Sequence, residues 1–103
     1  MVVNSKTSLL SLIVANEAKI RSLGVSRLGL FGSFVRDEQN PESDIDFLVE
    51  FRQGQKSFDN FMQLSFLLEE LVGRKVEIVT QQSLSPYLAP YILEEVEYVP
   101  LSN

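Results

Sequence analysis

Two aspartates separated by one hydrophobic residue, Asp44 and Asp46 in "SDIDFLVEF", are the residues of this chain best suited to chemistry. Alternate side chains of an extended segment project to one side, so both carboxylates point the same way. Two like charges about 4 Å apart repel by roughly 4 kcal/mol at an effective dielectric near 20, a cost that a marginally stable domain does not carry without compensation. A divalent cation supplies that compensation. Glu77, inside the otherwise apolar "KVEIVT", adds a third oxygen donor, and a donor set without nitrogen or sulfur selects Mg2+ or Mn2+ over zinc. Upstream, Gly32 and Ser33 in "GLFGSFVR" stand between an apolar run and a helical start. There, backbone N–H groups and a hydroxyl can approach a phosphate at the positive end of a helix. The residues alone leave plainer readings open. Asp44 and Asp46 could lie on a solvated sheet face, Glu77 at an exposed strand position, Gly32-Ser33 in a simple turn with an N-cap, and Arg36 in a surface ion pair.

The elements that must position these groups are legible from periodicity. Leu9, Leu12, Ile13, Ile20 and Leu23 recur at helical spacing, with Ser5, Thr7 or Ser8 as the N-cap and Gly24 at the C′ position. "SRLGLF" reads as a short strand that ends at Gly32, with Leu28 and Leu30 on one face and the small Gly29 on the other, where another group can approach closely. A helical turn over Ser33 to Arg36 and a surface loop over "DEQNPES" lead to the second strand, which places Ile45, Phe47, Val49 and Phe51 opposite Asp44, Asp46, Leu48 and Glu50. Ser57 caps a long amphipathic helix whose stripe is Phe61, Leu64, Leu68 and Leu71 and which Gly73 closes. "KVEIVT" is a third strand. Pro86 and Pro90 in the tail each suit a helix start, giving one or two short helices and a final strand. The strand–helix–strand order of the second and third strands places them in one sheet beneath that helix, where Asp44, Asp46 and Glu77 are expected to cluster.

Composition narrows the chemistry further. A chain of 103 residues with 45% hydrophobic content and seven phenylalanines is expected to form one globular domain over residues 1–103, burying roughly 60–70% of its unfolded surface. Cysteine and histidine are both absent, which excludes disulfides, thiolate nucleophiles and an imidazole base. The lack of cysteine fits a cytoplasmic protein. With nine basic against fourteen acidic residues, the net charge of −5 argues against tight binding to a long nucleic acid and favours cations or basic partners. "SLLSLIVA" has the character of a weak signal h-region, but "NEAKIRSLG" continues its helical pattern, so it reads as part of a mature helix. No stretch is long enough to span a membrane.

Taken together, these residues resemble a known family. Gly32-Ser33, ten intervening residues and then Asp44-x-Asp46 reproduce the G-S-x10-D-x-D signature of the DNA polymerase beta-type nucleotidyltransferases. "FGSFVRDEQNPESDIDFLVEF", "FDNFMQLSFLLEEL", "GRKVEIVT" and "SPYLAPYILEEVEYV" extend the likeness to the MNT (minimal nucleotidyltransferase) antitoxins over nearly the whole chain. The resemblance implies a single-domain α/β (α+β) fold with a small mixed β-sheet covered by helices. It further implies that Asp44 and Asp46 hold two Mg2+ ions, that Gly32 and Ser33 grip the triphosphate of ATP, that Arg36 matches the family at the nucleotide site, and that Glu77 fills the third carboxylate position. The implied reaction is transfer of AMP to a tyrosine of a HEPN-domain ribonuclease toxin, which inactivates it. Two positions depart from the family pattern. Glu77 stands where Asp is usual, one methylene longer, and Asp37 stands where Gly is common, adding a negative charge near the triphosphate.

Three activities compete on this resemblance. The first is an ATP- and Mg2+-dependent protein adenylyltransferase antitoxin. The second is a binding module, weakened catalytically by Glu77, that covers a basic toxin surface by charge complementarity. The third, transfer of a nucleotide to a small molecule, ranks lower because this length leaves no room for an acceptor domain. A DNA-polymerising role ranks lower again. Assembly as a homo-oligomer or as a hetero-oligomer with the toxin stays open.

Overall fold

The computed structural model describes residues 3–101. Ser5 opens the first helix, α1 (Lys6–Ala15), with its hydroxyl accepting from the Ser8 N–H at 3.1 Å. The sequence predicts one continuous helix to about Leu23, but the chain breaks at Asn16 and resumes as α2 (Glu17–Ser22). The cause is local. The Asn16 side-chain amide donates to the Leu12 carbonyl at 2.9 Å, a side-chain-to-backbone bond that competes with the helical ladder. Leu9, Ile13 and Ile20 stay buried on both sides of the break, and Gly24 follows α2 at the expected C′ position.

Four strands form one sheet in the order β3-β2-β1-β4. β1 (Val25–Phe31) pairs antiparallel with β2 (Ile45–Phe51), and β2 pairs parallel with β3 (Val76–Thr80) through the crossover helix α4 (Phe58–Val72). This is the strand–helix–strand unit expected from sequence, and with β4 (Glu97–Tyr98) antiparallel to β1 the sheet is mixed. α4 begins at Ser57, whose hydroxyl accepts from Asn60 N–H, and ends at Gly73. Its buried stripe is Leu64, Leu68 and Val72, with Phe61 and Leu71 partly buried at the margins. Pro90 sits in the first turn of α5 (Ala89–Glu95) as predicted, whereas Pro86 opens a turn closed by the Leu88 N–H on the Ser85 carbonyl, not a helix.

The helices α1, α2 and α4 cover one sheet face. Leu28 and Leu30 of β1 and Ile45, Phe47 and Val49 of β2 pack there with Leu9, Ile13, Ile20, Leu64 and Leu68 into one core, each fully buried side chain contributing about 1.5–3 kcal/mol. The opposite face carries Asp46, Leu48 and Glu50. Over it the C-terminal segment folds back at Gly29, where a Cβ would meet Val96 Cγ2 at 2.5 Å. Gly29 therefore lets that segment cross the sheet at close range, as its small size suggested. No helix among the described residues is long and apolar enough to cross a membrane.

Candidate functional site

The turn between β1 and the one-turn helix α3 (Ser33–Arg36) lies beside the start of β2, because Phe31 is the register partner of Asp46. Gly32 has φ 82 and ψ −153, a backbone conformation that L side chains rarely adopt. Space gives a second reason for glycine there. A Cβ at position 32 would collide with Asp46 Oδ2. The Asp46 carboxylate is thus packed directly against the backbone of the Gly-Ser turn, joining the two halves of the sequence signature. Ser33 is the first residue of α3 and makes no capping hydrogen bond; the N-cap is Gly32.

Asp46 is half-buried, and its carboxyl is pushed up from 3.8 to about 6. Burial is the main cause, followed by the negative charges of Glu77 and then Asp44, with Arg36 pulling the other way and Glu95 adding a smaller push. Glu77 is the register partner of Asp46 across the parallel pair, which places it on the same sheet face. Asp44 lies just ahead of β2, in a segment held from outside the strand. Arg74 donates from Nη1 to the carbonyls of Asn40 and Ser43 and from Nε to that of Val3, and its guanidinium lies 5.1 Å from the Phe34 ring centroid. One side chain therefore ties the 40–43 loop to the N-terminal segment and fixes the approach to Asp44.

Asp46 feels the charges of Glu77 and Asp44, but the three acids do not form the closed cluster expected from sequence. Among the described residues no set of three or more His, Cys, Asp or Glu side chains is gathered closely enough to hold a metal ion. The donor chemistry nevertheless fits a hard divalent ion: all donors are carboxylate oxygens, one is partly desolvated, and two others repel it.

Arg36 is ion-paired, as the plainer reading allowed. Nε donates to Glu38 Oε1 at 2.6 Å and Nη1 to Glu95 Oε1 at 2.8 Å. The other Glu95 oxygen accepts from the Gly32 N–H at 3.2 Å. Asp37 adopts the left-handed conformation at φ 59 and ψ 38 as the C-cap of α3, so the position where the family commonly has glycine is one that favours it. The sequence reading passed over Arg74 and Glu95. Neither carries a local signal, since Arg74 binds carbonyls 31 to 71 residues away and Glu95 is one of several acids in "LEEVEYV".

Residues 13–99 match the nucleotidyltransferase domain model. The protein adenylyltransferase MntA of Thermococcus cleftensis is 39% identical over 90 residues, covering 86% of this chain and 90% of the relative. A solved minimal nucleotidyltransferase superposes with a TM-score of 0.69 at 33% identity, covering 85% of this chain and 93% of that one. A complex of tri-AMPylated HEPN toxin from Shewanella oneidensis with MNT antitoxin contains a chain with a TM-score of 0.62 at 19% identity, covering 90% of this chain and 73% of that one. At that identity the likeness is one of fold.

Proposed function

This chain belongs to the nucleotidyltransferase domain family, and from that premise we propose that residues 1–103 act as one cytoplasmic domain that transfers AMP from ATP to a tyrosine hydroxyl of a HEPN-domain toxin, with Mg2+ bound, and so neutralises the toxin. The observation that carries the reading is the seating of the Asp46 carboxylate against Gly32. It puts the second acid of the D-x-D pair within one residue's width of Ser33. Support for the acceptor class comes from the protein adenylyltransferase name of a relative at 39% identity and from the family resemblance of the whole chain.

In this mechanism the Gly32 N–H, the Ser33 hydroxyl and Arg36 bind the phosphate tail, and Asp44, Asp46 and Glu77 would hold the metal. Bound Mg2+ would activate the acceptor hydroxyl and stabilise the charge of the departing pyrophosphate. The acceptor oxygen attacks the α-phosphorus, the bond from that phosphorus to the bridging oxygen breaks to release pyrophosphate, and the hydroxyl proton passes to solvent. Asp46 must be ionised to serve as a ligand, and the raised proton affinity of its carboxyl means that ionisation and metal binding support each other. Glu77 sits on β3, the edge strand of the sheet, and is exposed.

The test is label transfer. With α-labelled ATP, Mg2+ and a candidate HEPN-domain partner, Asp44→Asn and Asp46→Asn are expected to lower transfer at least a thousandfold. Transfer that persists in the double variant rules the reading out. A second reading, neutralisation by binding alone, draws on the open arrangement of the three acids. It is the better account if the double variant still protects against the toxin in full.

A further inference from the structure

Two of the three donors assigned to the nucleotide's phosphate tail, the Gly32 N–H and Arg36, are already engaged within the chain. One carboxylate, that of Glu95, spans both of them: Oε2 accepts from the Gly32 N–H at 3.2 Å and Oε1 from Arg36 Nη1 at 2.8 Å. This is the way an anion sits on a backbone N–H and a guanidinium, with one oxygen on each. Glu95 is not a deeply buried structural acid, since its side chain keeps 23% exposure, and its charge is felt at Asp46.

The element that carries it is built to yield. α5 is seven residues long, has no buried residue and no side-chain cap, and follows the largely exposed segment 81–88. Segments with few buried contacts open at low free-energy cost. Beyond Glu95 the chain is fixed more firmly. Val96 lies against Gly29, and Val99 is buried with its N–H on the Leu28 carbonyl at 2.8 Å. α5 can therefore leave the turn while β4 stays in the sheet.

We propose that Glu95 is a built-in competitor for the nucleotide's phosphate tail: its carboxylate occupies the Gly32 N–H and Arg36 until a polyphosphate displaces it and releases α5 from the turn. The inference rests on the phosphate-binding role assigned above to Gly32 and Arg36. A triphosphate brings several negative oxygens where Glu95 brings two, and so outcompetes it at sufficient concentration. The contact lowers apparent nucleotide affinity and couples the C-terminal segment to occupancy of the site.

The experiment uses the full chain with inorganic tripolyphosphate and with Mg2+-ATP as probes, measuring binding by calorimetry and amide exchange by mass spectrometry in wild type, Glu95→Gln and Glu95→Ala. Both variants are expected to bind roughly tenfold more tightly, equivalent to about 1.4 kcal/mol. Tripolyphosphate should speed exchange over residues 89–95 in the wild type, while in the variants exchange there is already fast and does not respond. Equal or weaker binding by both folded variants, with the wild type still binding, overturns the competitor role alone. Tighter binding without the exchange response in the wild type also overturns it, because removal of a charge would then suffice. If no form binds either probe, the phosphate-binding assignment itself fails, and the competitor role with it.

Discussion

Asp46 shows how a functional residue is held at a cost to the fold. Its carboxylate is half-buried and faces the charges of Glu77 and Asp44, with the Arg36 guanidinium offsetting only part of that repulsion. The folded chain keeps the Asp46 proton up to about pH 6, whereas the unfolded chain releases it near 3.8. Between these values the native state carries more protons, so this group's contribution to stability falls as pH rises from about 4 to about 6 and is constant above. Allowing for solvent screening of a half-exposed group, the penalty at neutral pH is about 1 kcal/mol. Asp46→Asn keeps the shape and removes the charge. In metal-free buffer at pH 7.5 it is expected to raise the melting temperature by about 4–8 °C, and at pH 4 the gain should vanish. Thermal melts across that range decide it: a variant destabilised at pH 7.5, or stabilised equally at both pH values, contradicts this account of Asp46. Loss of transfer together with gain in stability is the pattern expected where a site is strained for function.

At the scale of elements, α3 is a single turn placed between two exceptional backbone positions, Gly32 at φ 82 and Asp37 at φ 59. The first is relieved by glycine, and the second is not. Aspartate tolerates the left-handed region better than most residues but still less well than glycine, and Asp37 returns only a long contact of 3.4 Å from the Gln39 side chain. Asp37→Gly is expected to stabilise the chain by about 0.5 kcal/mol, the relief at the C-cap exceeding the added freedom of the unfolded state. Urea unfolding measures it, and a loss of stability would show that the aspartate is held by more than its backbone. What was legible in the sequence at this scale is what local pattern controls. The alternation of Ile45, Phe47 and Val49 with Asp46 and Leu48, the caps at Ser57 and Gly73, and the crossover from β2 to β3 are all set by local pattern, and each was readable. The break at Asn16 was not, because it turns on one side-chain bond to Leu12, and Pro86 was misplaced because a proline suits a turn as well as a helix start.

Over the whole molecule, the sequence motif indicated which residues meet, but not how they are spaced or what else reaches them. Gly32 and Asp46 were expected together and lie in contact, since strand register enforces it. The three acids were expected to converge, yet no such group forms among the described residues, because residue order fixes the face a side chain shares and not its rotamer. Glu95 reaches the turn from 63 residues away, a distance no local pattern spans. Net charge is the one global property that sequence states outright. At −5, with Glu77 on an edge strand and Glu94 and Glu97 on the C-terminal segment, the chain is suited to approach a basic surface. Complementary charge acts mainly on the rate of encounter, while the short-range contacts of the interface set the rate of departure. For the proposed toxin partner, stopped-flow association is therefore expected to slow by about tenfold or more as ionic strength rises from roughly 0.02 to 0.5 M, as the Debye length shrinks from about 20 Å to a few ångströms. The dissociation rate should change by less than about threefold over the same range. An association rate independent of salt would mean that partner recognition does not use the acidic balance of this chain, and would leave shape alone to select the toxin.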